Sequence, residues 1–255
     1  MKKYTFALAL LAFFSTSLFS QTKQNPVLKD ESARLKSVSK SAETASQTLG
    51  VTVEKYVKNY EVNADGTAIE TWEMQQRVNS ELVIDRFKKF ERSFNGDLQK
   101  AEVLDAYLVK ANGQKLALAP DAVQIKPTAQ AEAAPAFSSY RQIQIDYDNL
   151  QKGDAIYFKI RIVTLKPNFE RQFDFVEVFP LGYAWKSVEI NLTAPADFPL
   201  YAQAVDLAGG RLADENGKAR WRWCKENLKA FDIEPGMYDF FNSSPRVAVI
   251  AIRRR

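Results

Sequence analysis

The sequence predicts an all-β protein. It reads as an antiparallel β-sandwich, in one unit or two packed sub-sandwiches, behind an N-terminal helical or flexible tether. Three observations carry this. Short segments rich in β-branched and aromatic residues recur from residue 51 onward. Turn residues separate them at hairpin spacing. No repeating strand–helix–strand pattern occurs, which disfavours a parallel α/β scaffold.

The first 20 residues read as a secretory signal peptide. Lys2 and Lys3 supply the charge, Tyr4 to Phe14 the apolar run, and Ser15, Thr16, Ser17 and Ser20 the small residues near a cleavage point. That run is too short to span a bilayer, which takes about 20 residues. Cleavage is expected after Ser20. Export to the periplasm of a Gram-negative bacterium follows as an expectation. The leader removes two lysines and no acid, so the formal charge falls from +4 to +2. A balance so close to neutral argues against nucleic acid as a partner, since that takes a concentrated basic patch. One cysteine cannot form an internal disulfide, so the core must hold the exported fold.

Residues 21–50 lack aromatics and carry apolar residues at loosely helical spacing, from Leu28 to Leu49. They read as a polar tether or exposed helix. Residues 51–255 form the expected β domain. "VTVEKYVKNYEV" is a strand ending at the turn "NADG". "TAIETWEMQQRV" alternates, with Ala68, Glu70, Trp72, Met74 and Gln76 on one face. "LVIDRFKKFERSF" fits both periods and is read as strand. A second hairpin turns at Asn112-Gly113, and "DAVQI" is a short strand. Residues 126–139, "KPTAQAEAAPAFSS", have no periodic apolar face and read as a mobile loop. "RQIQIDYDN", "AIYFKIRIVTL", "QFDFVEVF", "AWKSVEINLTA", "PLYAQAV", "ARWRWC" and "RVAVIAI" complete the strands. Turns are expected at Lys152-Gly153-Asp154, Gly182, Gly209-Gly210 and Asn216-Gly217.

Four stretches carry a resemblance: "VEKYVKNYEVNADGTAIETWEMQQRV", "LQKAEVLDAYLVKANGQKL", "LQKGDAIYFKIRI" and "ARWRWCKEN". In this order they resemble the uncharacterised β-rich domain of unknown function that precedes a transglutaminase-like domain in exported bacterial proteins. The resemblance covers residues 51 to 252. It implies an all-β sandwich in the bacterial envelope and no catalytic residue. The sequence runs to "RVAVIAIRRR" without the transglutaminase-like domain, so a free-standing copy or a shortened gene product is expected.

Few residues point to chemistry. The chain has no histidine, which removes Cys-His pairs, Ser-His-Asp triads and His-ligated metals together. No cofactor or metal is expected. Cys224 alternates away from Trp221 and Trp223 and reads as structural. Trp72, Trp185, Trp221 and Trp223 read first as core; their other use is stacking on cell-wall glycan. Asp146, Asp148, Asp154, Glu170, Asp174 and Glu177 are scattered acids with no spacing that fixes a hydrolytic pair. "DYDN" (146–149) offers oxygen ligands but lacks the glycine and distal glutamate of a calcium loop. Arg253 to Arg255 make a small basic tail, too short for more than weak lipid contact. The function expected is a non-catalytic periplasmic binding module, accessory to a transglutaminase- or protease-like envelope partner. The alternatives are a glycan-binding module and a histidine-free hydrolase.

Overall fold

The computed structural model describes residues 50–230 and 243–251. The expected signal peptide, nearly all of the expected tether and the arginine tail lie outside these residues. Fourteen strands make up most of the described chain. They are β1 (Val51–Val62), β2 (Ala68–Val78), β3 (Lys89–Asn95), β4 (Gln99–Val109), β5 (Lys115–Ala117), β6 (Val123–Pro127) and β7 (Tyr140–Asp146). Then follow β8 (Ala155–Thr164), β9 (Asp174–Val178), β10 (Ala184–Pro195), β11 (Leu200–Val205), β12 (Ala208–Arg211), β13 (Lys218–Leu228) and β14 (Arg246–Ala251). The all-β class expected from the sequence is what the structure has.

Eight strands form one sheet, in the order β12-β13-β10-β1-β2-β8-β4-β5. Two three-stranded sheets, β11-β14-β9 and β3-β7-β6, are separate from it. Every pair is antiparallel except β1 with β10, which runs parallel from Thr52↔Ala184 to Glu61↔Thr193. Local turns set direction only between neighbours in sequence. These two strands are far apart in the chain, so no hairpin dictates their sense.

Alternation decides which residues face inward. On β13, Ala219, Trp221 and Trp223 are buried while Arg222 is exposed. On β1 the alternation is shifted by an irregularity between Val53 and Lys55. Val51 and Val53 face the core, and beyond it Tyr56, Lys58, Tyr60 and Val62 do. The small sheets dock through aromatic side chains. Phe90 of β3 stacks on Phe158 of β8 with ring centres 4.0 Å apart and meets Trp72 of β2 edge-on at 5.5 Å. Phe175 of β9 stacks on Tyr60 of β1 at 4.2 Å. Each such pair contributes about 1 kcal/mol beyond the area it buries.

Three local expectations are corrected. Residues 80–88 are not strand. Ser80 accepts from the Leu82 N–H and caps a 3-10 turn over Glu81–Val83, a helical turn follows over Ile84–Phe87, and strand begins only at Lys89. Capping serines favour this over an extended start. The stretch 126–139 is not a featureless loop. β6 pairs with β7 as far as Pro127, and Thr128 caps a short helix, Ala129–Ala133, that buries Ala131. Gly209 and Gly210 lie inside β12 and not at a turn. Gly209 has φ +108°, and a Cβ there would stand 2.1 Å from the Arg222 carbonyl oxygen. Glycine is needed for that close approach to β13.

Candidate functional site

β3 and β9 are the terminal strands of their small sheets. Between them opens a cleft of about 560 Å³, within the range of ordinary ligand sites. Its floor is the inner face of β1 and β2, presenting Tyr56, Lys58, Tyr60, Glu70 and Trp72. Arg92 to Asn95 form one wall, and Phe173 to Glu177 form the other.

At the bottom is a buried charge centre. The Lys58 side chain is only 4% exposed. Its Nζ donates to Glu177 Oε1 at 2.6 Å and lies 2.9 Å from Glu70 Oε1. Tyr56 OH donates to Glu177 Oε2 at 2.6 Å, and Tyr60 OH donates to Glu177 Oε1 at 2.7 Å. The ammonium also sits 4.8 Å from the centre of the Trp72 ring. Arg92 Nη2 is 3.6 Å from Glu70 Oε2. Burial by itself pushes the Glu177 carboxyl up. The Lys58 charge and the three donated hydrogen bonds outweigh this and hold it below the usual carboxylate range. Burial, then the Glu177 charge, push the Tyr56 and Tyr60 hydroxyls well above their ordinary value. Glu177 is therefore ionised and both tyrosines are neutral at physiological pH.

Three buried polar atoms of this centre have no hydrogen-bond partner among the described residues: Trp72 Nε1, Arg92 Nε and Glu70 Oε1. Glu70 Oε1 still has its ion-pair contact with Lys58; the two nitrogens are donors left over. Among the described residues, no cluster of three or more histidine, cysteine, aspartate or glutamate side chains could hold a metal ion.

The structure divides the residues singled out from the sequence. Trp72 lines the cleft. Trp185, Trp221 and Trp223 are buried at 6, 7 and 3% exposure within the core, so their rings offer no face to a sugar. Cys224 is a partly buried free thiol on β13, paired with Glu189 on one side and Ala208 on the other. Glu177 is in the floor and Asp174 on the cleft wall. Asp154 is buried and accepts from Lys110 Nζ and from the N–H groups of Ala111 and Gln151. Asp148 and Glu170 are exposed. Asp146 accepts from Gln144, and Tyr147 beside it is wholly buried, so "DYDN" packs a core tyrosine and presents no ligand loop. Sequence reasoning passed over Tyr56, Lys58, Tyr60, Glu70 and Arg92 as site residues. A signal existed: a lysine and a glutamate on core-facing registers of adjacent strands require each other.

The fold and cleft define an all-β module with a polar, aromatic-walled opening over a buried ion centre. The chain belongs to DUF3857, a family described as a domain of unknown function with a solved structure, whose model matches residues 64–232. Glu70, Trp72, Arg92 and Glu177 fall within the match; Lys58 precedes it. No curated protein matches the chain. Among solved structures, a protein from Parabacteroides distasonis described as a "putative protease" is 18% identical, with a TM-score of 0.71, over 80% of this chain and 40% of that one. A mutant M1 zinc metallopeptidase from Deinococcus radiodurans is 10% identical, with a TM-score of 0.41, over 79% of this chain and 42% of that one. The chain thus spans less than half the length of either protein. The likeness to the first is one of fold.

Proposed function

We propose that this domain is a non-catalytic binding module of the bacterial envelope, accessory to a peptidase- or transglutaminase-like protein, and that its ligand enters the cleft between β3 and β9. The leader-like first 20 residues support the periplasm of a Gram-negative bacterium as its place. The kind of partner is supported by the family resemblance and by a fold shared with part of a longer protein described as a "putative protease". The observation that carries binding over turnover is the state of the floor. Glu177 is held ionised by Lys58 and the tyrosines, and no histidine exists to move protons. Such a centre presents fixed charge and aromatic faces, with Glu177 already ionised and the Tyr56 and Tyr60 hydroxyls held protonated.

One observation favours a second reading, a histidine-free hydrolase. Glu70 and Glu177 both touch the Lys58 ammonium, so the two carboxylates are close enough to flank a scissile bond. That chemistry needs one of them protonated at the start. The lysine and the two tyrosines instead hold Glu177 as an anion.

The test is in vivo photo-crosslinking. p-Benzoylphenylalanine placed at Tyr140, an exposed residue lining the cleft, is expected to give a discrete envelope adduct. The same group at Tyr201, equally exposed on β11 and outside the cleft, is expected to give none. Equal labelling from both positions, or from neither, would sink the cleft as the binding site.

A further inference from the structure

The two walls of the cleft are open sheet edges. In β3, the Tyr147 N–H donates to the Lys88 oxygen and the Gly96 N–H to the Ser139 oxygen. Residues 90, 92 and 94 therefore exchange hydrogen bonds with β7, and Lys89, Glu91 and Ser93 turn their backbone N–H and C=O groups the other way. In β9, the Phe179 N–H donates to the Pro245 oxygen and the Ala251 N–H to the Phe173 oxygen. Residues 175 and 177 therefore face β14, and Asp174, Val176 and Val178 turn outward. Neither strand has a second neighbour in its sheet. Ser93 on one side, and Asp174 and Val176 on the other, line the same cleft. Val176 is an apolar side chain left 56% exposed there.

Exposed edges are normally blunted, because they template pairing with other chains. Here each edge strand also carries an inward-pointing charge, Arg92 on β3 and Glu177 on β9. These disfavour a wholly apolar strand. They do not disfavour one that brings polar atoms to the floor, where Trp72 Nε1 and Arg92 Nε have no acceptor.

We propose that the ligand of this cleft is an extended polypeptide segment, which adds as a strand to the open edges of β3 and β9 and joins the two small sheets into one. Alternate side chains of that segment point to the floor. The one nearest Trp72 and Arg92 carries an acceptor oxygen: asparagine, glutamine, aspartate or glutamate. The proposal rests on the cleft being the binding site and specifies what binds there. Main-chain pairing gives affinity with little demand on sequence, and the floor supplies the selection.

The experiment pans a phage-displayed library of random linear dodecapeptides against the full chain, then measures an enriched peptide by fluorescence anisotropy. Enriched peptides are expected to share an acceptor side chain at one position. N-methylation of the peptide backbone at alternate residues is expected to weaken binding roughly tenfold or more in either register, because one set of N–H groups pairs with β3 and the intervening set with β9. Ser93→Pro and Val176→Pro each remove an edge donor that no ladder bond uses. Each is expected to weaken the same peptide by roughly tenfold. Failure to enrich any peptide, full tolerance of methylation in either register, or sensitivity to only one proline overturns the added strand. Envelope adducts from Tyr140 without peptide enrichment would overturn the strand alone and leave the cleft as the site. The methylation series uses the unaltered protein, so it decides even if a proline variant fails to fold.

Discussion

Lys58 and Glu177 are joined across two sheets: the ammonium of a central strand of the eight-stranded sheet donates at 2.6 Å to a carboxylate on the edge of a three-stranded one. This ion pair and its two tyrosine hydrogen bonds tie β9 to the floor of the cleft. A buried pair of this kind gives little net stability against an apolar pair, but losing one member is costly. Lys58→Met is expected to destabilise by about 3–5 kcal/mol, because it strands the Glu177 charge. Adding Glu177→Gln to Lys58→Met is expected to recover a large part of that loss. Urea unfolding of both single variants and the double variant checks this; additive losses would contradict it.

Acid stability follows from two carboxylates. Burial raises Glu54, but hydrogen bonds from Arg77, Gln75 and Lys186 bring it down to about 2. Glu177 is also held low. A carboxylate depressed in the fold stabilises above its unfolded pKa and loses that contribution as pH falls through its folded one. Stability is therefore expected to be level near neutrality and to fall progressively below about pH 4.5 towards 2. Glu54→Gln is expected to lower the melting temperature at pH 7 and to flatten the fall between pH 4.5 and 2. Melting curves across that range measure both effects.

Asp154 is 1% exposed and anchors the hairpin between β4 and β5 against the start of β8. Asp154→Ala leaves a lysine and two backbone donors short of an acceptor. It is expected to cost about 3 kcal/mol in chemical unfolding, and Asp154→Asn less.

Gly209 and Gly113 separate crowding from backbone strain. Both have positive φ, but a Cβ at Gly209 would strike the Arg222 oxygen at 2.1 Å, while at Gly113 it would meet nothing. Gly209→Ala is expected to cost about 2–3 kcal/mol and to loosen β12 from β13. Gly113→Ala is expected to cost about 1 kcal/mol. Hydrogen exchange at Leu212, whose N–H donates to the Arg220 oxygen, reports the loosening.

Cys224 lies between two paired strands, with no histidine in the chain to draw off its proton. The folded protein is expected to react slowly with iodoacetamide at neutral pH, and Cys224→Ser is expected to leave cleft binding unchanged. Rapid labelling before unfolding would count against a structural role.

The strands were legible because their signals are local. "NADG" falls at the turn where Gly66 has φ +90°, and Asn216-Gly217 turns with positive φ at both residues. The alternation from Ala68 to Gln76 separates the two faces of β2, and the structure buries Ala68, Met74 and Gln76 on one of them. The parallel partnership of β1 and β10 was not legible, since it joins segments with no shared turn. The cleft was half legible. Glu70 and Trp72 share one face of the alternation read from the sequence. Lys58 is hidden by the irregularity after Val53, which shifts the pattern midway along β1. Glu177 could be seen as an acid on a strand, but only the tertiary fold brings it to Lys58. The glycines at 209 and 210 misled because close approach and turning demand the same residue.

The pairing of Val51–Val62 with Ala184–Pro195 also bears on kinetics. A central strand of the largest sheet waits for a partner more than a hundred residues later, so the hairpins on either side can form early but cannot close on each other. High contact order of this sort slows folding, because a long loop must be ordered before its ends gain anything.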